Sequence, residues 1–207
     1  MSGRATRKAR WALALAGGFG MAVWPSWAQA HLVTTGLGPV YDGLLHFALT
    51  PEDLVPALAL ALLAGLRGPA HGRRALFVLP AAWLLGGSFG LVAAHAGVNP
   101  VVTSISFVLL GGLLAVDARL PLYATTMLAA LLGLFHGYLN GTAMAQPGLG
   151  ALALLGIVVA VFTLVTVTAS FVAPLRAAWA RVVVRVAGSW VAAIGLLLLG
   201  WAFRPGP

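Results

Sequence analysis

The sequence predicts an all-α fold: a polytopic transmembrane helix bundle of six spans following a cleavable signal peptide. Three observations predict it. Of the 207 residues, 61% are hydrophobic and only 8% charged, where a soluble domain usually carries about 25% charge. Six apolar runs follow residue 30, each near the ~20 residues needed to cross a bilayer. The arginines gather in alternate breaks between those runs, which in a membrane protein is an orientation signal.

The chain begins with Arg4, Arg7, Lys8 and Arg10 as a positive region. "WALALAGGFGMAV" follows as an apolar region, and Ala28-Gln29-Ala30 as an A-x-A cleavage site. This is the pattern of a secretory signal peptide. No two arginines are adjacent in this N-terminal segment, where Arg7 is followed by Lys8, so a twin-arginine signal is not indicated. Residues 1–30 are expected to be removed, leaving 31–207 as one transmembrane domain with His31 at the mature N-terminus. An uncleaved first segment would add a seventh span in the same orientation.

The six runs cover roughly 41–65, 75–95, 99–116, 121–141, 149–172 and 183–203. Arg67, Arg73 and Arg74 lie in the first break, Arg119 in the third, and Arg176, Arg181 and Arg185 around the fifth. The second and fourth breaks contain no Lys or Arg, and only Arg204 follows the last run. The positive-inside rule then places breaks one, three and five in the cytoplasm and both mature termini outside. His71, in the first break, is expected to be solvated. Glycine clusters such as "LLGGSFG" and "LGGL" suit close helix packing, because apolar burial does not drive helices together in lipid.

The same composition excludes several functions. The net charge of +8 comes without a basic patch interleaved with aromatics, so no nucleic-acid partner is expected. There is no cysteine, which removes disulfides, thiolate metal sites and thiol redox chemistry. Methionine is scarce, which argues against a thioether path for Cu(I).

The polar residues inside the apolar runs carry the functional signal. His31 and Asp42 lie at the expected outer face. At ~1.5 Å per residue, Glu52 and Asp53 fall roughly 16–18 Å below Tyr41, near the middle of a ~30 Å hydrocarbon core. On a continuous helix, at about 100° per residue, Asp42, His46 and Asp53 would lie within about 40° of one another. Pro51 and Pro56 are placed to kink that helix and to free carbonyls in the preceding turns. His136 and Asn140, at i and i+4, share a face of the fourth run, and His95 ends the second. An ionised carboxylate at the bilayer centre costs about 2.5–3.5 kcal/mol on insertion scales, and two side by side repel. The structural alternative is that the acids only hydrogen-bond to one another or to a neighbouring helix. Imidazole and carboxylate without thiolate suit Ni²⁺, Co²⁺, Zn²⁺ or Mn²⁺. A free amine on His31 beside its imidazole would form a further chelate.

These residues resemble the HupE/UreJ family of small membrane permeases. In that family the first segment carries H-P-L-T-G-L-D-H and a later one H-G-x-A-H-G. Here His46 stands at the first His, Glu52 at the Asp and Asp53 at the second His. In "HGYLNG", His136 matches the first His and Asn140 replaces the second. "FVLLGGLLA" and "RVAGSWVAAIGLLLLG" also look like family segments, and the likeness covers most of residues 31–203. The resemblance implies a bacterial inner-membrane protein that moves nickel or cobalt, with metalloenzyme accessory proteins as partners and no permanently bound cofactor. His46, Glu52, Asp53, His136, Asn140, His31 and Asp42 are then the expected metal residues; depth and a common outward side make Glu52 and His46 the expected core of the cation site. Two histidines of the pattern are Asp53 and Asn140 here, a harder ligand set.

The competing reading is a non-transporting accessory subunit of a metalloenzyme or respiratory complex. An enzyme is the least favoured class: neither H-E-x-x-H nor G-x-x-x-x-G-K-[ST] occurs, and Thr168-Ala169-Ser170 has no base paired to it in sequence. The arginine asymmetry makes a direct prediction. Reporter fusions at Gly72 and Ala178 should read as cytoplasmic and one at Gly148 as external. A cytoplasmic reading at Gly148 would refute the arrangement.

Overall fold

The computed structural model describes residues 35–93, 100–145, 149–175 and 177–204. The expected signal peptide, His31 and His95 lie outside the described residues. Those residues form seven α-helices and no strand: α1 Pro39–Leu49, α2 Pro51–Leu66, α3 Pro69–Val92, α4 Pro100–Ala115, α5 Leu122–Ala143, α6 Gly150–Val172 and α7 Ala178–Ala202. Each expected apolar run contains a helix among the described residues. Four helices, α3, α5, α6 and α7, are long and apolar enough to cross a membrane, while α4 is apolar but shorter. The first run is not one helix. α1 and α2 together are long and apolar enough for one span, but they meet at a bend of 74°.

Proline writes several of these boundaries. α1, α2, α3 and α4 each begin on one, where the missing N–H removes no helical bond and φ is already set. Gly38 and Gly68 precede two of them with φ of 106° and 104°, a left-handed backbone open to glycine without strain. At the bend, Pro51 drives Thr50 out of the helical region to φ −100°, ψ 94°, as the residue before a proline must go. The Thr50 hydroxyl donates to the His46 carbonyl at 2.7 Å, satisfying an acceptor at the end of α1. α2 then restarts, with Asp53 N–H donating to the Thr50 carbonyl at 3.1 Å. The common face expected for Asp42, His46 and Asp53 on a continuous helix therefore does not exist, because the axis turns between His46 and Asp53.

α2 occupies the centre and touches all six other helices. Its inner positions are mostly alanine and leucine, with Ala57, Leu60, Ala61 and Leu63 fully buried. Around it, α3 runs along α5, α4 along α7 and α1 against α6. Small residues set these distances. A Cβ on Gly137 of α5 would fall on the Trp83 carbonyl of α3, and one on Gly86 of α3 on the Leu134 carbonyl of α5. In lipid, such backbone approach replaces apolar burial as the source of packing energy. The outer surface is apolar, with Phe89, Phe171, Trp190 and Leu197 exposed, which suits contact with hydrocarbon rather than water.

One ion cluster gathers the loops at the α2 C-terminal end. Asp117, between α4 and α5, accepts hydrogen bonds from Arg67 after α2 and from Arg181 at the start of α7, the latter at 2.8 Å. Arg185 donates to the Ala115 carbonyl at 2.9 Å. Breaks one, three and five, grouped in the sequence by their arginines, thus meet at one end of the bundle. His71, expected to be solvated, is half-buried there and hydrogen-bonded to Thr125 of α5 at 3.0 Å.

Candidate functional site

The break at Thr50 aims the start of α2 into the bundle. Pro51, Glu52 and Asp53 form its first turn, where unbonded N–H groups give a helix its positive end and favour a carboxylate. Asp53 turns inward and is 4% exposed. Its Oδ1 lies 2.8 Å from His136 Nδ1, and its Oδ2 accepts from Asn140 Nδ2 at 2.7 Å. His136 is fully buried and Asn140 is 4% exposed. The i, i+4 spacing on α5 therefore delivers an imidazole and an amide to the two oxygens of one carboxylate.

The cluster continues through the imidazole. His136 Nε2 lies 3.1 Å from Ser106 Oγ on α4. With Nδ1–H donating to Asp53, Nε2 is left as the acceptor for the serine hydroxyl. Trp83 packs on the same ring with centroids 5.7 Å apart, Phe135 meets it edge-on, and Phe47 packs edge-on against Trp83. These aromatics exclude water from the Asp53–His136 bond. Three buried polar atoms nearby in sequence or space keep unused capacity: Asn140 Oδ1, Trp83 Nε1 and, one turn before Ser106, Thr103 Oγ1 have no hydrogen-bond partner. Pro56 has no N–H to give the Glu52 carbonyl, which leaves one more acceptor at the start of α2.

The expected site residues divide accordingly. Asp53, His136 and Asn140 come together. His46 sits half-buried on α1, near enough to Asp53 to feel its charge, and its ring makes no hydrogen bond to the described residues. Glu52, expected at the core of the site, is exposed and makes no hydrogen bond to the cluster. Asp42 accepts from the Thr35 N–H and hydroxyl, both at 2.6 Å, and so closes the turn into α1 rather than joining Asp53. His31 lies outside the described residues. Among those residues, no three His, Asp or Glu side chains converge as a metal cage. Ser106 and Trp83 join the cluster without having been singled out from sequence. Both sit in glycine-rich or apolar runs, and only the 3.1 Å bond and the ring contact mark them.

The family described as HupE / UreJ protein matches residues 19–198. The chain belongs to the HupE/UreJ family. Among the described residues it is all-helical, with helices long and apolar enough to span a membrane. No curated protein and no solved structure matches it.

The contrast between the two adjacent acids is testable. Asp53→Asn replaces an acceptor oxygen with a donor facing either His136 or Asn140, and should cost about 1–3 kcal/mol as a buried bond is lost. Glu52→Gln, at an exposed position, should leave stability within about 0.5 kcal/mol. Thermal unfolding of both variants in detergent checks this. Equal losses would mean that Asp53 is not the anchored acid.

Proposed function

We propose that this HupE/UreJ member is a permease for a divalent transition-metal ion, nickel or cobalt, supplying metalloenzyme maturation. In this reading it sits in the bacterial inner membrane as six spans, with its mature termini outside. One observation carries the reading: a buried carboxylate at the start of a broken helix, held by an imidazole and an amide from another helix. Discontinuous helices with polar groups at the break are how membrane transporters build ion sites. Ionisable residues within such spans mark ion or proton paths by default.

The chemistry follows from the bonds in place. Asp53, His136 and the Asn140 amide oxygen supply nitrogen and oxygen ligands of the type that bind Ni²⁺ and Co²⁺. A cation taking the Asp53 carboxylate displaces the two donors that now hold it. Loading and unloading therefore exchange an ion against hydrogen bonds inside the site, and the carboxyl can also exchange a proton. His46, across the bend, is the group an ion would meet before Asp53. No bond-breaking step is assigned: the single glutamate follows Pro51, outside any H-E-x-x-H pattern.

The second reading is a non-transporting accessory subunit. It is favoured by the absence of a three-ligand cage among the described residues and by the closed set of bonds around Asp53. One experiment separates the two. Cells expressing the chain are assayed for nickel and cobalt content by mass spectrometry. The permease reading expects accumulation that falls about ten-fold or more in His136→Gln, with protein level unchanged. If the wild type accumulates neither ion while metalloenzyme activity still depends on the chain, the accessory role replaces it.

A further inference from the structure

The α2 C-terminal end of the bundle carries two arginines that no acidic side chain among the described residues neutralises. Arg73 and Arg74 lie in the second turn of α3, are exposed, and make no ion pair or hydrogen bond among the described residues. Helical side chains lean back toward the N-terminus, so both guanidinium groups reach over the first turn of α3. That turn has no acidic residue and no side-chain cap, and its free N–H groups are themselves positive. The chain has four acidic residues in all. Asp42 is bonded to Thr35, Asp53 to His136 and Asn140, and Asp117 to Arg67 and Arg181. Glu52 is at the opposite end of α2, roughly 22 Å from Arg67 along the helix. None of these four side-chain carboxylates pairs with Arg73 or Arg74 among the described residues, which leaves both guanidinium groups open to an anion from outside the chain.

The surroundings say what kind of anion it is. Arg73 stands at the lip of two crevices, one on each side of α3. The first, of about 420 Å³, runs between α3 and α5 and is floored by Phe77, Val78 and Leu122. The second, of about 160 Å³, runs between α3 and α6 and is floored by Leu76, Val165 and Ala169. Phosphate pairs well with the planar guanidinium fork, and basic pockets between transmembrane helices suit anionic lipid headgroups. We propose that Arg73 and Arg74 bind the phosphate of an anionic phospholipid whose two acyl chains lie in the crevices flanking α3. A soluble anion would have no use for the apolar floors. A zwitterionic lipid would bring its own cation to a site that already has two.

The proposal is independent of whether the chain transports an ion. Native mass spectrometry of the full chain, released from micelles doped with phosphatidylglycerol or with phosphatidylcholine of the same acyl chains, tests it. Wild type should retain one phosphatidylglycerol at least about ten-fold better than phosphatidylcholine, at about 1 kcal/mol per arginine. The double variant Arg73→Gln, Arg74→Gln should lose that preference. Arg119→Gln, which removes an exposed arginine elsewhere, should keep it. Equal retention of the two lipids by the wild type overturns the proposal without need of any variant. So does an equal loss in Arg119→Gln, which would reduce the effect to general surface charge. Displacement of the lipid by millimolar inorganic phosphate would assign the site to a soluble anion and also overturn it.

Discussion

The carboxylate of Asp53 is the point on which the arrangement depends. It is buried at the start of the central helix, and both of its oxygens are taken by side chains of α5. Without those two donors, an acid at this depth would be an uncompensated charge in an apolar bundle. The rest of the local structure serves the contact. Pro51 breaks the first span, so that α2 begins where its positive end supports the charge. The α3–α5 interface brings two backbones together at Gly86 and Gly137, and this sets Trp83 against the His136 ring. A side chain at Gly137 would push α5 away from α3 and take His136 with it.

The opposite end of the same helix is held in a matching way. Arg67, which caps α2, is bound by Asp117, and Asp117 also holds Arg181. α2 is thus fixed at one end by a carboxylate of its own and at the other by a carboxylate from a loop. With its other surfaces packed by alanine and leucine, it can serve as the fixed member of the bundle. The chain divides its few acids between these tasks, and the arginines over the start of α3 are left to an external partner.

Much of the fold was legible because hydropathy reports spans directly. Each of the six apolar runs holds a helix among the described residues, the first run holding two; proline moved some ends, as at Pro69, and a helical arginine-containing turn moved another, from Ala178 to Arg181. The alternation of arginines also grouped the three breaks that Asp117 now ties together. The site was legible in part. The i, i+4 pair His136 and Asn140 marked its own face. Adjacent acids cannot be ranked from sequence, since they differ by about 100° around the axis and only the packing of α2 decides which turns inward. A bend of 74° was beyond reach for a similar reason: Pro51 marks a break, but neighbouring helices set its angle. Ser106 and Trp83 lie on other helices in apolar surroundings, where no local pattern announces a tertiary partner. Asp42 found its partner seven residues away in Thr35, a turn contact that helical spacing does not register.

The central claim, that Asp53 and α5 form one energetic unit, is tested most directly by a double-mutant cycle. Asp53→Asn and Asn140→Leu would be made singly and together, and unfolding free energies compared in the same detergent. A directly bonded, buried pair should show a coupling energy of about 1–3 kcal/mol, the double variant losing less than the sum of the two single losses. Additivity within about 0.5 kcal/mol would show that the two residues do not act on one another, and would contradict the account.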